Sequence, residues 1–439
     1  MKFLRIPILT FFICIVHLNT TAQQEVNLSL EEALALAKNG NIDISISNAQ
    51  VDAANYAVKE AKGSVLPKLS ADASYNRNID RQVIFLPEAF GMAGSATELG
   101  FDNDYRASLN LSLPIFSKAN KSLQKIAQSQ LLLQQETGRG IEQVVVSDIK
   151  NAYFTVLLLQ EVVAVQQNRL ANVLKIQTDI EKRLKQGQVT EYDLTAAQVQ
   201  VATAQANLLE AQSNILPATN TLKLLIGIDT TIKLNLTAPL EIVENELLRS
   251  EALNEMLNNN SQLKQLELEA QISENQLEAT SAAYYPTLNA IGNYSYLAQA
   301  DDFDISEYDW VQTSLVGLQL QIPIFNGNIT KNRVAQAKIA KDITLERQQF
   351  AETQLSMQYN ELRQNLQFSM ERTEVQKTNM KLSEKALQLA QKRYQFGAGT
   401  FLEVNDAELT YTQARLNWLQ AVSDYKTTFY NYQLLLGND

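Results

Sequence analysis

Two carboxylates in one predicted helix are the groups whose type and spacing could do chemistry in this sequence. Glu403 and Asp406 lie three residues apart, so a helix places both side chains on one face. Like charges held close together attract cations and raise the pKa of some of the carboxyl groups. Taken alone, the pattern favours a simpler interpretation, in which these are solvated charges or acids favoured by the dipole at a helix N-terminus.

Cysteine and histidine chemistry is excluded from the mature chain that the sequence predicts. Cys14 and His17 are the only residues of their types, and both lie in an N-terminal segment with a basic start and an apolar run. This pattern is typical of a signal peptide, and we predict its removal after Ala22. A retained membrane anchor is the alternative, but the apolar run is too short to cross ~30 Å of hydrocarbon.

Loss of residues 1–22 rules out thiolate or imidazole zinc sites, Ser-His-Asp triads and Cys-His dyads. The sequence also has no Gly-x-x-x-x-Gly-Lys-Ser/Thr loop for nucleotide phosphates. Removal of Lys2 and Arg5 from 37 basic residues leaves 35 against 48 acidic residues, a formal charge of −13. Nucleic acid is therefore not an expected partner. We predict a protein that is not an enzyme and that holds no cofactor or metal ion.

An internal repeat organises the rest of the chain. Each half has a helical lead-in, two strand patterns ending in Pro-Ile-Phe, a very long helical run, a glycine and a returning helix. Pro114 and Pro323 are 209 residues apart, and Gly187 and Gly397 are 210 apart. Such a constant offset indicates a tandem duplication. The predicted boundaries are 1–22 for the signal peptide, 23–227 for the first repeat, 228–247 for a linker and 248–439 for the second repeat.

Four alternating segments are predicted strands, and no apolar run long enough for a transmembrane helix follows residue 22. The clearest strand has Leu109, Leu111 and Leu113 on one face and polar side chains on the other. Strands of ~9 to 11 residues can cross a bilayer at a tilt, and aromatic residues cluster near their ends. The alternative is an ordinary soluble hairpin pair with one face on a core. The predicted strands are 69–76, 105–113, 288–296 and 311–322.

Long helices follow each strand pair. The helical patterns run from Lys118 to about Arg183 and from Thr330 to about Tyr394, or roughly 100 Å each at 1.5 Å per residue. The returning helices carry a heptad seam, which predicts one antiparallel coiled-coil hairpin per repeat, turning at its glycine. The seams are Leu194, Ala197, Val201, Ala204, Leu208 and Ala211 against Val173, Ile176, Ile180 and Leu184, and Val404, Ala407, Tyr411, Ala414, Trp418 and Ala421 against Leu382, Ala386, Leu389 and Arg393.

Several chains would have to share one barrel, because four strands cannot close around side chains and open sheet edges cannot face hydrocarbon. These features together resemble the TolC family of outer membrane efflux proteins. The resemblance rests on the signal peptide, the duplicated plan, the Leu-Pro-Ile-Phe and Ile-Pro-Ile-Phe strand ends, and the turns Arg-Leu-Lys-Gln-Gly (183–187) and Arg-Tyr-Gln-Phe-Gly (393–397). It covers essentially the whole mature chain.

The resemblance implies a mainly α fold with β. In the implied homotrimer, four strands per chain make a twelve-stranded transmembrane β-barrel, joined to a periplasmic α-barrel of long coiled-coil helices. The implied function is the outer membrane channel of a tripartite efflux or type I secretion system, a passive duct that extends into the periplasm of a Gram-negative bacterium. The implied partners are a periplasmic adaptor protein, an inner-membrane pump or secretion ATPase, and outer membrane lipid.

The resemblance also assigns a periplasmic gate. Asp193, Glu403 and Asp406 match the acids that close the tube just past the glycine turns. Tyr394 matches the family's tyrosine near the turn, so a link from Tyr394 to Asp193 is possible. Some members lock the gate with an arginine four residues before the second-repeat acid, where this chain has Gly399. We therefore expect no arginine salt bridge and a less firmly locked gate.

The two turns match the family's adaptor-contacting tips, although simple turn chemistry alone would also explain their glycines. The predicted tip residues are Gln186, Gly187, Gln188, Phe396, Gly397 and Ala398.

An acidic loop before Trp310 should lie outside the cell, where a solvated loop is favoured over a cation site. Its acids are Asp301, Asp302, Asp304, Glu307 and Asp309.

Two other functions compete with the export duct. A structural or adhesive coiled-coil protein of the cell envelope would explain the helices but not the duplicated amphipathic strands. A periplasmic adaptor also uses a coiled-coil hairpin, but it needs a separate soluble β-domain and only one hairpin, and neither feature fits the repeat.

Overall fold

The computed structural model describes residues 25–85, 96–237 and 252–437, so the predicted signal peptide and much of the linker lie outside the described residues. The helices are α1 Leu30–Gly40, α2 Ile42–Gly63, α3 Lys118–Lys185, α4 Glu191–Ile226, α5 Ala252–Asn259, α6 Ser261–Ser281, α7 Ile329–Gln395 and α8 Phe401–Leu436. The strands are β1 Glu25–Leu28, β2 Lys68–Arg77, β3 Gln82–Phe85, β4 Ala96–Leu99, β5 Asn103–Phe116, β6 Lys233–Leu236, β7 Thr287–Ala300 and β8 Val311–Gln321. None of these helices is long and apolar enough to cross a membrane.

The chain forms two compact units, and each draws on both predicted repeats. The first, here called the turn unit, comprises Met1–Ile42, Val146–Glu246 and Phe368–Tyr430, and it contains both glycine turns. The second, here called the strand unit, comprises Asp43–Val145, Leu247–Gln367 and Asn431–Asp439. Compact units therefore do not follow the sequence repeats, and the predicted repeat boundaries stay a prediction.

The strand unit holds an antiparallel four-stranded sheet of order β2-β5-β7-β8. All four predicted strands are confirmed. Three of them extend beyond their predicted ends, and β8 stops one residue early at Gln321. Two short strands that the sequence did not predict, β3 and β4, pair with each other in the loop between β2 and β5.

The sheet has one apolar and one polar face, as the alternation in β5 predicts. Leu111 lies opposite Leu69 of β2, which places both on the apolar face. On the other face, Asn110 Nδ2 donates to Asp72 Oδ2 over 2.7 Å, and Asn293 Nδ2 donates to Asn110 Oδ1 over 2.7 Å. This row of hydrogen bonds joins three strands through their side chains, so polar groups on that face are partnered.

The acidic loop before Trp310 is tied to the loop between β4 and β5. Arg81 contacts the carboxylates of Asp102 and Asp301 over 2.8 and 2.6 Å. Asn103 is fully buried, and its amide donates to the carbonyl groups of Ala300 and Asp302. One acid of the loop, Asp301, therefore pairs with an arginine, which counts against a cation site at that carboxylate.

The turn unit contains the predicted coiled-coil hairpins. In the first, Ala197, Ala204 and Ala211 of α4 are buried, as are Val173 and Ile180 of α3. In the second, the predicted α8 seam residues are buried or half-buried. Small alanines at these positions allow close approach of the helices, so the heptad predictions for α3, α4 and α8 are confirmed.

The predicted seam of α7 is wrong by one residue. Leu382 is 64% exposed, and Leu389 and Arg393 are also exposed, whereas Ser383 and Leu387 are buried. The error arose because leucine marked the wrong face. A serine occupies the seam, and the two leucines lie outside it.

Each returning helix ends against the helix that precedes the strands. In the turn unit, the Asn41 amide donates to Leu225 O over 2.8 Å, and a Cβ at Gly227 would lie 2.0 Å from Gly40 O. In the strand unit, the Asn260 amide donates to Leu435 O over 2.9 Å. An equivalent hydrogen bond from a buried asparagine thus holds the end of both returning helices, although no sequence motif pointed to these asparagines.

The linker carries a structural element that the sequence did not predict. Strand β6, within the linker, pairs in parallel with β1 near the start of the described chain. Both strands belong to the turn unit, where Leu28 of β1 is buried and its carbonyl accepts a hydrogen bond from Tyr153 Oη over 2.9 Å.

Candidate functional site: the two glycine turns and their acids

Both glycine turns have the same backbone. Gly187 and Gly397 adopt φ of 71° and 72°, a left-handed conformation that glycine reaches without strain. In the first turn, Gln188 N donates to Arg183 O over 3.0 Å, and in the second, Ala398 N donates to Arg393 O over 2.8 Å. These bonds satisfy the last carbonyl groups of α3 and α7, so the backbone of each turn is fixed by its glycine.

The predicted tip residues are exposed on both turns. A Cβ at Gly187 or Gly397 would meet no atom within 4 Å, so neither glycine is packed against another element. The side chains differ, because Phe396 is 83% exposed where the first turn has Gln186. The first tip is therefore polar, and the second presents an apolar ring to solvent.

Asp193 is a helix cap. Thr190 is the N-cap of α4, and Asp193 Oδ2 accepts hydrogen bonds from Thr190 N over 2.9 Å and from Thr190 Oγ1 over 2.8 Å. Asp193 N donates in return to Thr190 Oγ1 over 3.3 Å, which completes a capping box. The hydrogen bonds from Thr190 lower the pKa of Asp193. This carboxylate is thus occupied within its own helix.

Glu403 and Asp406 lie near the start of α8, and in the described chain neither forms a capping box like that of Asp193. Glu403 N donates to Thr400 Oγ1 over 3.2 Å, but its carboxylate lies 3.5 Å from the guanidinium of Arg393. The expectation that no arginine would pair with a gate acid is therefore wrong, because Arg393 reaches Glu403 although position 399 is glycine. Glu403 and Asp406 are both exposed.

Tyr394 contacts an arginine. Its ring lies 4.6 Å from the Arg183 guanidinium in a cation–π arrangement, and among the described residues its Oη has no hydrogen-bond partner. Burial raises the pKa of Tyr394, while the charge of Arg183 acts in the opposite direction. No hydrogen bond joins Tyr394 to Asp193 in the described part of the chain, so the possible link between them is not formed in this conformation.

A buried polar cluster lies close to these acids, and the sequence analysis missed it. Glu408 of α8 is 2% exposed, and its Oε1 accepts a hydrogen bond from Asn172 Nδ2 of α3 over 3.1 Å. Arg169, one turn before Asn172, is also buried. No signal in the sequence pointed to it, because Glu408 lies one residue after the predicted seam position Ala407 and outside the predicted seam.

A family model, related sequences and a solved structure all match this chain over most of its length. A family model described as "Outer membrane efflux protein" matches residues 33–228 and 252–438. The probable efflux pump outer membrane protein TtgC of Pseudomonas putida is 22% identical over 403 residues, which cover 90% of this chain and 78% of that protein. The outer membrane protein TolC of Salmonella enteritidis is 22% identical over 430 residues, covering 95% of this chain and 83% of that protein. The crystal structure of CusC matches with a TM-score of 0.76 at 18% identity, covering 94% of this chain and 93% of that chain.

Proposed function

Because the chain belongs to the outer membrane efflux protein family, we propose that it is the passive outer membrane duct of a tripartite export system. The chain supplies a conduit, and a periplasmic adaptor together with an inner-membrane pump or secretion ATPase supplies the energy and the substrate. The observation that carries this proposal is the amphipathic sheet. Its two faces separate apolar from hydrogen-bonded polar side chains, as a strand wall between hydrocarbon and water requires.

Trimerisation of the duct is supported by what one chain leaves unpaired. Among the described strands, β2 and β8 each have a hydrogen-bonded neighbour on one side of the four-stranded sheet. Open edges are unfavourable in hydrocarbon, and pairing of β8 with β2 of another copy would remove them. The turn unit also exposes an apolar stripe on α7 with heptad spacing, which would pack against another copy. The stripe consists of Phe368, Val375, Leu382 and Leu389.

The periplasmic constriction of the duct would be formed by Glu403 and Asp406. Copied around a three-fold axis, these exposed carboxylates make a concentrated negative ring that attracts cations and resists anions. Arg393 neutralises part of this charge at 3.5 Å, and an exposed pair of this kind is weak and screened by salt. Asp193 contributes less, because its carboxylate is bonded to Thr190.

Adaptor binding would use the two tips. Both turns end long helices, both have glycine at the apex, and neither is covered by another part of the described chain. A rigid, exposed turn at the end of a coiled coil can be received by a complementary partner without refolding. The tip residues therefore combine turn geometry with partner recognition.

The test is single-channel recording of the mature protein in planar bilayers. We expect a cation-selective pore with block by divalent cations. Both properties should weaken in the Glu403→Ala, Asp406→Ala double variant. The matched control is Asp193→Ala, which removes an acid at the same position of the first turn and should leave selectivity almost unchanged.

Three outcomes of the recording are informative. A pore that the double variant does not alter would remove the acidic constriction and leave the duct. Equal effects of the Asp193→Ala control and the double variant would show that both turns line the constriction. Absence of a pore from correctly folded protein would contradict the duct and favour a structural coiled-coil role in the envelope.

A further inference from the structure

The buried cluster around Glu408 lies two residues beyond Asp406 on α8. Glu408 and Arg169 are 2% and 7% exposed, respectively, so two ionisable groups are buried within the packed pair of α3 and α8. Asn172 donates to one carboxylate oxygen of Glu408 over 3.1 Å. Among the described residues, the other oxygen of Glu408 and the Nε of Arg169 have no hydrogen-bond partner. The cluster is therefore only partly satisfied.

Burying such a cluster costs free energy, because its charged groups lose their contact with water. Burial raises the pKa of Glu408, while the Asn172 hydrogen bond and the charge of Arg169 act in the opposite direction. Burial likewise lowers the pKa of Arg169, and the charge of Glu408 opposes that change. Each charged form is disfavoured by desolvation and only partly compensated by its partner. A change in the protonation of Glu408 therefore changes the energy of this contact.

The position of Glu408 on the helix determines where the predicted constriction acids point. At about 100° per residue, Asp406 and Glu403 lie roughly 160° and 140° around α8 from Glu408. With Glu408 directed into the contact with α3, both other acids must be directed away from it. Their exposure agrees with this geometry.

The charged groups around Glu408 are few. Arg169 of α3 is the charged side chain whose field acts on it, and Asn172 of α3 is its hydrogen-bond partner. Farther along the same helix pair, Arg415 and Glu161 lie 3.7 Å apart. In the described chain, no residue of α4 or α7 forms a hydrogen bond or ion pair with Glu408.

We propose that Glu408 is the positioning residue of the acidic constriction: its hydrogen bond with Asn172, beside the charge of Arg169, sets the rotation of α8, and its charge state alters that rotation. The inference rests on the proposed duct, and it adds control by a group that does not itself touch the transported solute. Ionised Glu408 loosens the contact of α8 with α3, whereas neutral Glu408 tightens it.

The test is the pH dependence of divalent-cation block in planar bilayers. Without control by Glu408, block should not weaken as the pH rises, because a higher pH never removes negative charge from the constriction. In the wild-type pore we expect a range, as the pH rises through the raised pKa of Glu408, in which block weakens. Glu408→Gln should lose that range, so that its block does not weaken at any pH. The double variant Glu403→Gln, Asp406→Asn should lose the block itself.

A second variant separates positioning from folding. Arg169→Met combined with Glu408→Leu removes both buried charges with similar volume, and such replacements are often neutral or stabilising. We expect folded trimers whose block no longer weakens at any pH. The inference would be overturned if divalent-cation block still weakened with rising pH in either Glu408 variant. It would also be overturned if block of the wild-type pore never weakened with rising pH.

A measurement without a pore keeps the inference separate from the proposed function. Because the folded pKa of Glu408 is raised, its contribution to stability is present at low pH and is lost as the pH rises through that pKa. The thermal unfolding midpoint of the detergent-solubilised wild type should fall over that range, and the midpoint of Glu408→Gln should not. Identical pH profiles would overturn the inference even if pores form, whereas a missing pore with different profiles would count against the duct alone.

Discussion

The two glycine turns share one backbone but differ in what their side chains do. At the first, Thr190 and Asp193 form a closed capping box and the tip is polar. At the second, the equivalent acid Glu403 is turned toward Arg393, and Phe396 projects from the tip. The difference teaches that glycine conserves the geometry of a repeat while electrostatics and recognition can be concentrated in one copy.

The largest expected effect is the loss of stability when alanine replaces a glycine. It should be large where a Cβ would clash with a neighbouring atom and small where only the positive φ favours glycine. Gly227→Ala would place a Cβ 2.0 Å from Gly40 O at a φ of 71°, so it should lower the free energy of unfolding by about 3 kcal/mol or more and prevent normal folding. Gly187→Ala and Gly397→Ala meet no atom and should each cost only about 1–2 kcal/mol of conformational strain. Thermal unfolding followed by circular dichroism would measure this, and unequal losses at the two tips would break their backbone equivalence.

The next effect concerns recognition by the tips. Phe396→Asp should weaken the proposed binding of the adaptor by about 10- to 100-fold, because burying a phenylalanine contributes about 1.5–3 kcal/mol. Gln186→Asp is the matched control at the first tip and should have a smaller effect. Cross-linking and co-purification of the adaptor from the native host would measure both. If the two variants behave alike, the apolar tip has no special role.

A smaller effect concerns the helix caps. Thr190→Ala should destabilise the start of α4 by about 1 kcal/mol, since it removes a complete capping box. Thr400→Ala should cost less, because its hydroxyl accepts a bond from Glu403 N without the reciprocal carboxylate contact in the described structure. Hydrogen exchange in the first turn of each helix would detect the difference. Equal protection losses would contradict the asymmetry of the caps.

The same comparison has a pH dependence. The lowered pKa of Asp193 means that its capping contribution is present above the ordinary aspartate pKa and is lost as the pH falls through the lowered value. The backbone amides at the start of α4 should therefore stay protected from hydrogen exchange on mild acidification. They should lose that protection only in stronger acid. Asp193→Asn should be insensitive to that change.

The smallest expected effect is that of Tyr394→Phe. The hydroxyl that it removes has no hydrogen-bond partner among the described residues, and the ring contact with Arg183 remains. Stability should change by less than about 0.5 kcal/mol, and conductance should not change. A clear change in conductance would support a link from Tyr394 to Asp193 that forms in another conformation of the proposed gate.

Much of the architecture could be predicted from local patterns. Alternation of Leu109, Leu111 and Leu113 located β5, because a strand displays every second residue on one face. Alanines at heptad spacing located the seams of α4 and α8, since period and side-chain size both report close helix packing. The prediction of the α7 seam was wrong because Ser383 is buried and Leu382 is exposed. Hydrophobicity alone does not show which face of a helix packs against the other helix of its hairpin.

The candidate site was less predictable than the fold. Family resemblance pointed to Asp193, Glu403 and Asp406, but residue type could not tell that Asp193 bonds to Thr190 while Glu403 faces Arg393. Those contacts depend on side-chain directions at the start of each helix. Glu408 was overlooked because a single charged residue in a polar, helical sequence carries no mark of burial.

The sequence by itself determined the elements of this protein, because strand alternation, heptad spacing and glycine turns act between residues close together in the chain. Only the tertiary structure decided which groups meet across long separations. It brought Asn172 to Glu408, Asn41 to Leu225 and β1 to β6. Such contacts join segments from different parts of the chain, and their energies come from burial and hydrogen bonding that local patterns do not encode.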